Sequence, residues 1–308
     1  MAAGDFYIRR NASDTTSVPN AGGGNEDAHW DTLVKDEGGI VSYTDPNLQL
    51  DIGTYLIMYS EYFDTTNTTN NERIEVQGEI HVSGTGVVGG YGQGYIRKSS
   101  GDQECCVRGQ HILRVTSDNT DVFIRFYRTD NFTSGTVNRV SGNGGVIILE
   151  LDNNDNFAFY SNSATHNLTA TASTVNFNTN DRQDTGFSNN GSGVITITNA
   201  GRYLVSYSMD VSQTVTSRED CVAYLTVNGT STVEVGTYSY CYLRGADGCQ
   251  DGALTWAGII DVAASDTIQV RGEVPTSATI TVATTGRFQI WQIPSGGDEC
   301  IINATNGD

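Results

Sequence analysis

GTYLIMYS, from Gly53 to Ser60, returns 148 residues later as GRYLVSYS, from Gly201 to Ser208. In both copies β-branched, aromatic and aliphatic residues follow a glycine without the three-and-four spacing of an amphipathic helix, so each reads as a strand. Further matches follow in the same order. RIEVQGEIHVSG (Arg73 to Gly84) pairs with REDCVAYLTVNG (Arg218 to Gly229), and Tyr95-Ile96-Arg97 pairs with Tyr242-Leu243-Arg244. Asp121-Val122-Phe123-Ile124 pairs with Asp266-Thr267-Ile268-Gln269, and GGVIILEL, ending at Leu151, pairs with GRFQIWQI, ending at Ile293. The separation drifts from 148 residues for Tyr55 and Tyr203 to 142 for Ile148 and Ile290, as loop-length changes between duplicated units would produce. The expectation is an all-β chain of two tandem sandwich domains related by internal duplication. The first covers 28–152 and the second 166–294. A polar arm (1–27) precedes them, a linker (153–165) with one short strand at Phe157 to Tyr160 joins them, and a polar tail (295–308) follows.

Composition agrees. Of 308 residues 37% are hydrophobic, 17% are charged and 35 are glycine, with only four prolines. Neutral Thr, Asn and Ser supply the polarity, which suits short strands joined by turns. The formal charge is −19, from 36 acidic against 17 basic residues. So negative a surface repels phosphate, and neither nucleic acid nor an anionic membrane is expected as a partner. No apolar run nears the roughly 20 residues of a membrane-spanning helix. MAAGDFYIRR lacks the basic-then-apolar order of a secretion signal.

The second unit resembles the jelly roll of the tumour-necrosis-factor-like family, in particular the globular head of the first complement component. The resemblance rests on Val175-Asn176-Phe177-Asn178-Thr179 as an opening strand, with Asp184-Thr185-Gly186 after it. It continues through the Gly201 to Tyr207 strand, the hairpin strand Leu225 to Gly229, and Ala264-Ser265-Asp266-Thr267-Ile268 entering a late strand. What it implies is a ten-stranded jelly-roll β-sandwich and a homotrimer. The strand pattern supports association independently. If Tyr55, Ile57 and Tyr59 face one way, Leu56 and Met58 face the other; Val146 and Ile148 likewise oppose Ile147, Leu149 and Leu151. Two apolar faces need two partners, the sandwich core and something beyond it. Leu56, Met58 and Leu204 are therefore expected at a trimer interface.

Catalytic and metal-binding patterns are missing: there is no nucleophile elbow and no phosphate loop, and no cofactor is expected. His29, His81, His111 and His166 are scattered, and the six cysteines (Cys105, Cys106, Cys221, Cys241, Cys249, Cys300) contain no CxxC. They read as free thiols, with Cys241 and Cys249 as the pair that a short disulfide loop would join and Cys221 as a competing partner. Asp152 to Asn156 has half a calcium loop but no turn glycine or distal glutamate. The glycine-dense Gly84 to Gly94 reads as a loop tip.

The chain is thus expected not to be an enzyme. A bacteriophage or other virion structural protein fits best: a trimeric head decoration or cement protein on the capsid exterior, bound to the major capsid protein after assembly in the host cytoplasm. Phe6-Tyr7-Ile8-Arg9-Arg10, apolar and basic within an acidic chain, is the expected capsid-docking patch. A tail fibre or receptor-binding tip is the alternative. A secreted complement-like or cytokine-like ligand fits less well without a signal peptide or collagen-like run.

Overall fold

The computed structural model describes residues 5–9, 17–18, 26–36, 38–65, 73–83, 86–97, 104–129, 136–140, 144–151, 156–214, 218–229, 236–244, 250–276 and 278–293. The first half runs β1 (Asp5–Arg9), β2 (Ser17–Val18), β3 (Glu26–Asp27), β4 (Thr32–Asp36), β5 (Val41–Thr44) and β6 (Asn47–Leu50). It continues with β7 (Gly53–Thr65), β8 (Arg73–Val82), β9 (Gly86–Arg97), β10 (Glu104–Val115), β11 (Thr120–Arg128), β12 (Val137–Arg139) and β13 (Gly145–Leu151). The second half opens with β14 (Phe157–Ser161), β15 (His166–Leu168), β16 (Ser173–Thr174), β17 (Thr179–Gln183), β18 (Phe187–Asn189) and β19 (Ile195–Ile197). Then come β20 (Gly201–Ser212), β21 (Arg218–Val227), β22 (Ser239–Arg244), β23 (Asp251–Val262), β24 (Thr267–Glu273), β25 (Ile280–Val282) and β26 (Arg287–Gln292).

The duplication holds strand for strand. In the first unit a seven-stranded sheet runs β2-β12-β7-β13-β1-β4, with β10 also paired to β7. A six-stranded sheet runs β5-β6-β11-β8-β9, with β3 beside β11. The second unit repeats this as β15-β25-β20-β26-β14-β17 with β23 on β20, and β18-β19-β24-β21-β22 with β16 on β24. Each unit closes its own apolar core between its two sheets, around Tyr55, Ile57 and Phe126 in one and Tyr203, Val205 and Phe288 in the other. The anchors repeat too. Tyr55 Oη donates to the Asp51 carbonyl at 3.1 Å and Tyr203 Oη to the Asn199 carbonyl at 2.7 Å. Tyr59 Oη reaches Gly90 O and Tyr207 Oη reaches Thr237 O, both at 2.8 Å.

Several boundaries differ from the sequence reading. Asp5–Arg9 is part of the first sandwich rather than of an arm: β1 pairs with β13, Phe6 opposite Ile148 and Ile8 opposite Val146. Strand alternation turns Phe6 and Ile8 into the core. The second unit begins inside the expected linker, because β14 pairs with β26 just as β1 pairs with β13. Val175 to Asn178 is not a strand. Val175 N–H still donates to Val270 O on β24, but Phe177 N–H turns to Val175 O and Asn178 N–H to Asn176 O, while Val175 and Phe177 fill the core. Ten strands become seven plus six through short additions such as β2 and β3. The repeat also slips by one residue near Asp121: Val122 and Ile268 occupy equivalent places, opposite Val82 and Val227.

Candidate functional site

The two units are joined by an edge of the first against a face of the second. β10 pairs with β7 along its length, from Val115 opposite Gly53 to Glu104 opposite Asp64. β9 crosses close to β10 because glycine lines the approach. A Cβ on Gly92 would lie 2.0 Å from Arg108 O, and one on Gly109 would lie 2.1 Å from Gly90 O. From Gly86 to Gly94 the glycine-rich segment is therefore strand, not loop tip, and its lack of side chains serves close backbone approach, while Gly84 lies outside the described residues.

This edge offers backbone groups outward, and the second unit meets them. Tyr91 N–H donates to Ser208 Oγ at 2.9 Å. Ile112 N–H donates to Gln289 Oε1 at 2.9 Å, and Gln289 Nε2 donates back to Ile112 O at 2.5 Å. Gln93 bridges β22 and β23: its Nε2 donates to Asp251 O at 2.6 Å, while its Oε1 accepts from Ala253 N–H at 3.2 Å and Cys241 Sγ at 3.1 Å. With the Gln110 amide oxygen turned inward it accepts from Trp256 and Ala257 N–H at 3.1 Å. An apolar cluster of Leu56, Ile112, Phe157, Leu204 and Trp291 seals the contact.

Two titratable groups are held out of their ordinary range there. His111, stacked on Phe159 at 6.5 Å, is pushed down to about 3, chiefly by burial and then by the nearby Arg287 guanidinium. Asp210 is pushed up to about 7 by burial first, then by Asp251 and by Glu79 of the first unit. The contact is thus dry enough to penalise either charge.

Of the residues expected at a trimer interface, Leu56 and Leu204 are covered by the other unit of the same chain. Met58 remains half-buried and lines a cavity of about 270 Å³ with Tyr7, Tyr59, Ser60, Gly144, Gly145 and Ile147. Of the expected capsid-docking residues, Phe6 and Ile8 are core, Tyr7 lines that cavity, Arg9 is exposed, and Arg10 lies outside the described residues. Cys241 is a free thiol directly opposite Cys221 on the neighbouring strand; Cys249 lies outside the described residues. The Cys241 side chain is turned into the core, where its thiol meets Gln93 Oε1 at 3.1 Å. Sequence reasoning missed Gln93, Gln289 and Ser208. The available signal was Gln289 standing at the repeat position of Ile147. Among the described residues no group of three or more His, Cys, Asp or Glu side chains could hold a metal ion.

No family model matches the sequence, and no curated protein does. Among solved structures the chain is similar to the Eiger TNF of S. frugiperda, at 11% identity and a TM-score of 0.37, over 47% of this chain and 96% of that one. It is also similar to murine APRIL at pH 5.0, at 12% identity and a TM-score of 0.35, over 44% and 98%.

Proposed function

We propose that this chain is a non-catalytic building block of a virus particle, a head decoration or cement protein that forms a homotrimer on the capsid exterior and binds the major capsid protein. The observation that carries the reading is the edge-to-face lock between the units. Backbone-directed hydrogen bonds from Gln289 and Gln93 turn two sandwiches into one tile. Such a tile suits repeated symmetric contacts on a lattice. A negative surface, −19 overall, keeps a densely displayed protein soluble. Among the described residues that line the cavity beside Met58 there is no carboxylate, histidine or cysteine, which suits packing rather than catalysis. Capsid binding cannot run through Phe6 or Ile8, because exposing them would open the first core.

The test is to incubate the protein with empty heads and weigh bound copies against the major capsid protein. Decoration calls for a fixed ratio amounting to tens or hundreds of copies per particle. A handful per particle, or none, overturns the reading, and a handful located at the tail favours the receptor-binding tip instead.

A further inference from the structure

The duplicated topology gives the inter-unit contacts of Ile112 and Gln289 equivalent positions in the other unit, and those equivalents are open. On the receiving side, Phe159 pairs with Gln289, which pairs with Ser206; Arg287 pairs with Ser208. The same ladder in the first unit reads Tyr7 with Ile147 and Ile147 with Met58, then Gly145 with Ser60. The 270 Å³ cavity is lined by these residues, Tyr7, Met58, Ser60, Gly145 and Ile147. It is the first unit's copy of the face that, in the second unit, the β9–β10 edge covers.

On the inserting side the mirror-image vacancy exists. Ile112 pairs with Leu56 and Ile259 with Leu204, so Ile259 is the second unit's Ile112. Likewise Tyr240 stands at the position of Gln93, each two residues before Tyr95 or Tyr242 of its edge strand and three before the buried Ile96 or Leu243. Burial follows occupancy: Ile112 is 0% exposed and Ile259 45%, while Gln289 is 1% exposed and its counterpart Ile147 38%. Tyr240 is 72% exposed. Large apolar side chains so exposed on one edge and one face mark surfaces that expect cover.

The two vacancies also match each other. Within the chain, position 112 meets position 289 through a backbone–amide pair. Repeated between chains, the same meeting would bring Ile259 to Ile147, apolar to apolar. It would bring Tyr238, counterpart of Tyr91, to Ser60, counterpart of Ser208. We propose that the first unit's open face, around Tyr7, Met58 and Ile147, receives the exposed β22–β23 edge of a second copy of this chain. The contact repeats between molecules the one that joins the units within a molecule. Because edge and face differ, it is heterologous, and repetition closes a ring or runs into a filament. A ring of three is one form of the trimer proposed above, but the docking stands apart from any role on a capsid.

Ile147→Arg blocks the face and leaves the edge; Ile259→Glu blocks the edge and leaves the face. Light scattering after size exclusion, at micromolar concentration, should give wild-type assemblies of two or more chains and a monomer for either variant alone. Mixing the two variants should restore a one-to-one dimer, doubling the mass, since one competent edge then meets one competent face. A symmetric interface cannot give that rescue. A monomeric wild type, variants that assemble as wild type does, or a mixture that stays monomeric overturns the proposal. Circular dichroism checks that each variant is folded, and Met58→Glu with Tyr240→Ser supplies a second face–edge pair if either is not.

Discussion

Ile112 and Gln289 hold each other through two hydrogen bonds across the unit boundary, the isoleucine giving its N–H at 2.9 Å and taking the amide Nε2 at 2.5 Å. Both backbone groups belong to the outer edge of β10, and Ile112 is fully buried. Gln289→Ala should leave them unpaired and cost about 1–3 kcal/mol. Urea unfolding should show a lower midpoint; an unchanged midpoint would mean that the edge is not held this way.

The pH dependence of stability should split between two buried groups of opposite sign. Asp210 is raised from 3.8 to about 7, so over that interval the folded chain keeps a proton that the unfolded chain has released. Its contribution is fully present below about pH 4 and is lost as pH rises through 7. His111 is lowered from 6.5 to about 3, so the unfolded chain takes up a proton that the folded chain refuses. That contribution is present above 6.5 and is lost as pH falls toward 3. Asp210→Asn should leave a melting temperature that falls toward acid, and His111→Phe one that falls from pH 4 to 7. Identical pH profiles for the two variants would refute the assignment.

Gly92→Ala tests the close crossing of β9 and β10. A methyl group 2.0 Å from Arg108 O has no room, and the clash is with backbone. Overpacking of this kind costs about 1–3 kcal/mol or more. Thermal melting should fall accordingly, and a melt matching wild type would show that the strands do not cross here.

The thiols should separate by burial. Cys221 and Cys241 face each other inside the second core, and the hydrogen bond between them, with burial, drives the Cys241 thiol far above its ordinary range. Iodoacetamide should spare both in the native protein and label both after unfolding. A non-reducing peptide map should return Cys241 as a free thiol; recovery in a disulfide would contradict the structure.

Much of this was legible in the residues. The Tyr55 and Tyr203 strands carry their fold in local pattern, and the apolar second face of Leu56 and Leu204 announced a burial partner. What the pattern could not say is that the partner is the sister unit, since that depends on how two finished sandwiches meet. Phe6 and Ile8 were hidden for a related reason: a short alternating run among polar residues becomes a strand only through its pairing with β13, more than a hundred residues away. Gln289 and Gln93 were silent because a polar residue on a strand ordinarily signals solvent, and here each is turned toward another unit's backbone.

Residue-resolved amide exchange tests the edge-to-face lock most directly, because among the described residues the Tyr91 and Ile112 amides donate across the unit boundary, to Ser208 Oγ and Gln289 Oε1. In the wild-type chain both should be protected as strongly as the core amides of β7. In the Ser208→Ala, Gln289→Ala double variant both should exchange far faster while the β7 amides remain slow. Rapid exchange of Tyr91 and Ile112 in the wild-type protein would contradict the lock, and with it the vacancies read from its symmetry.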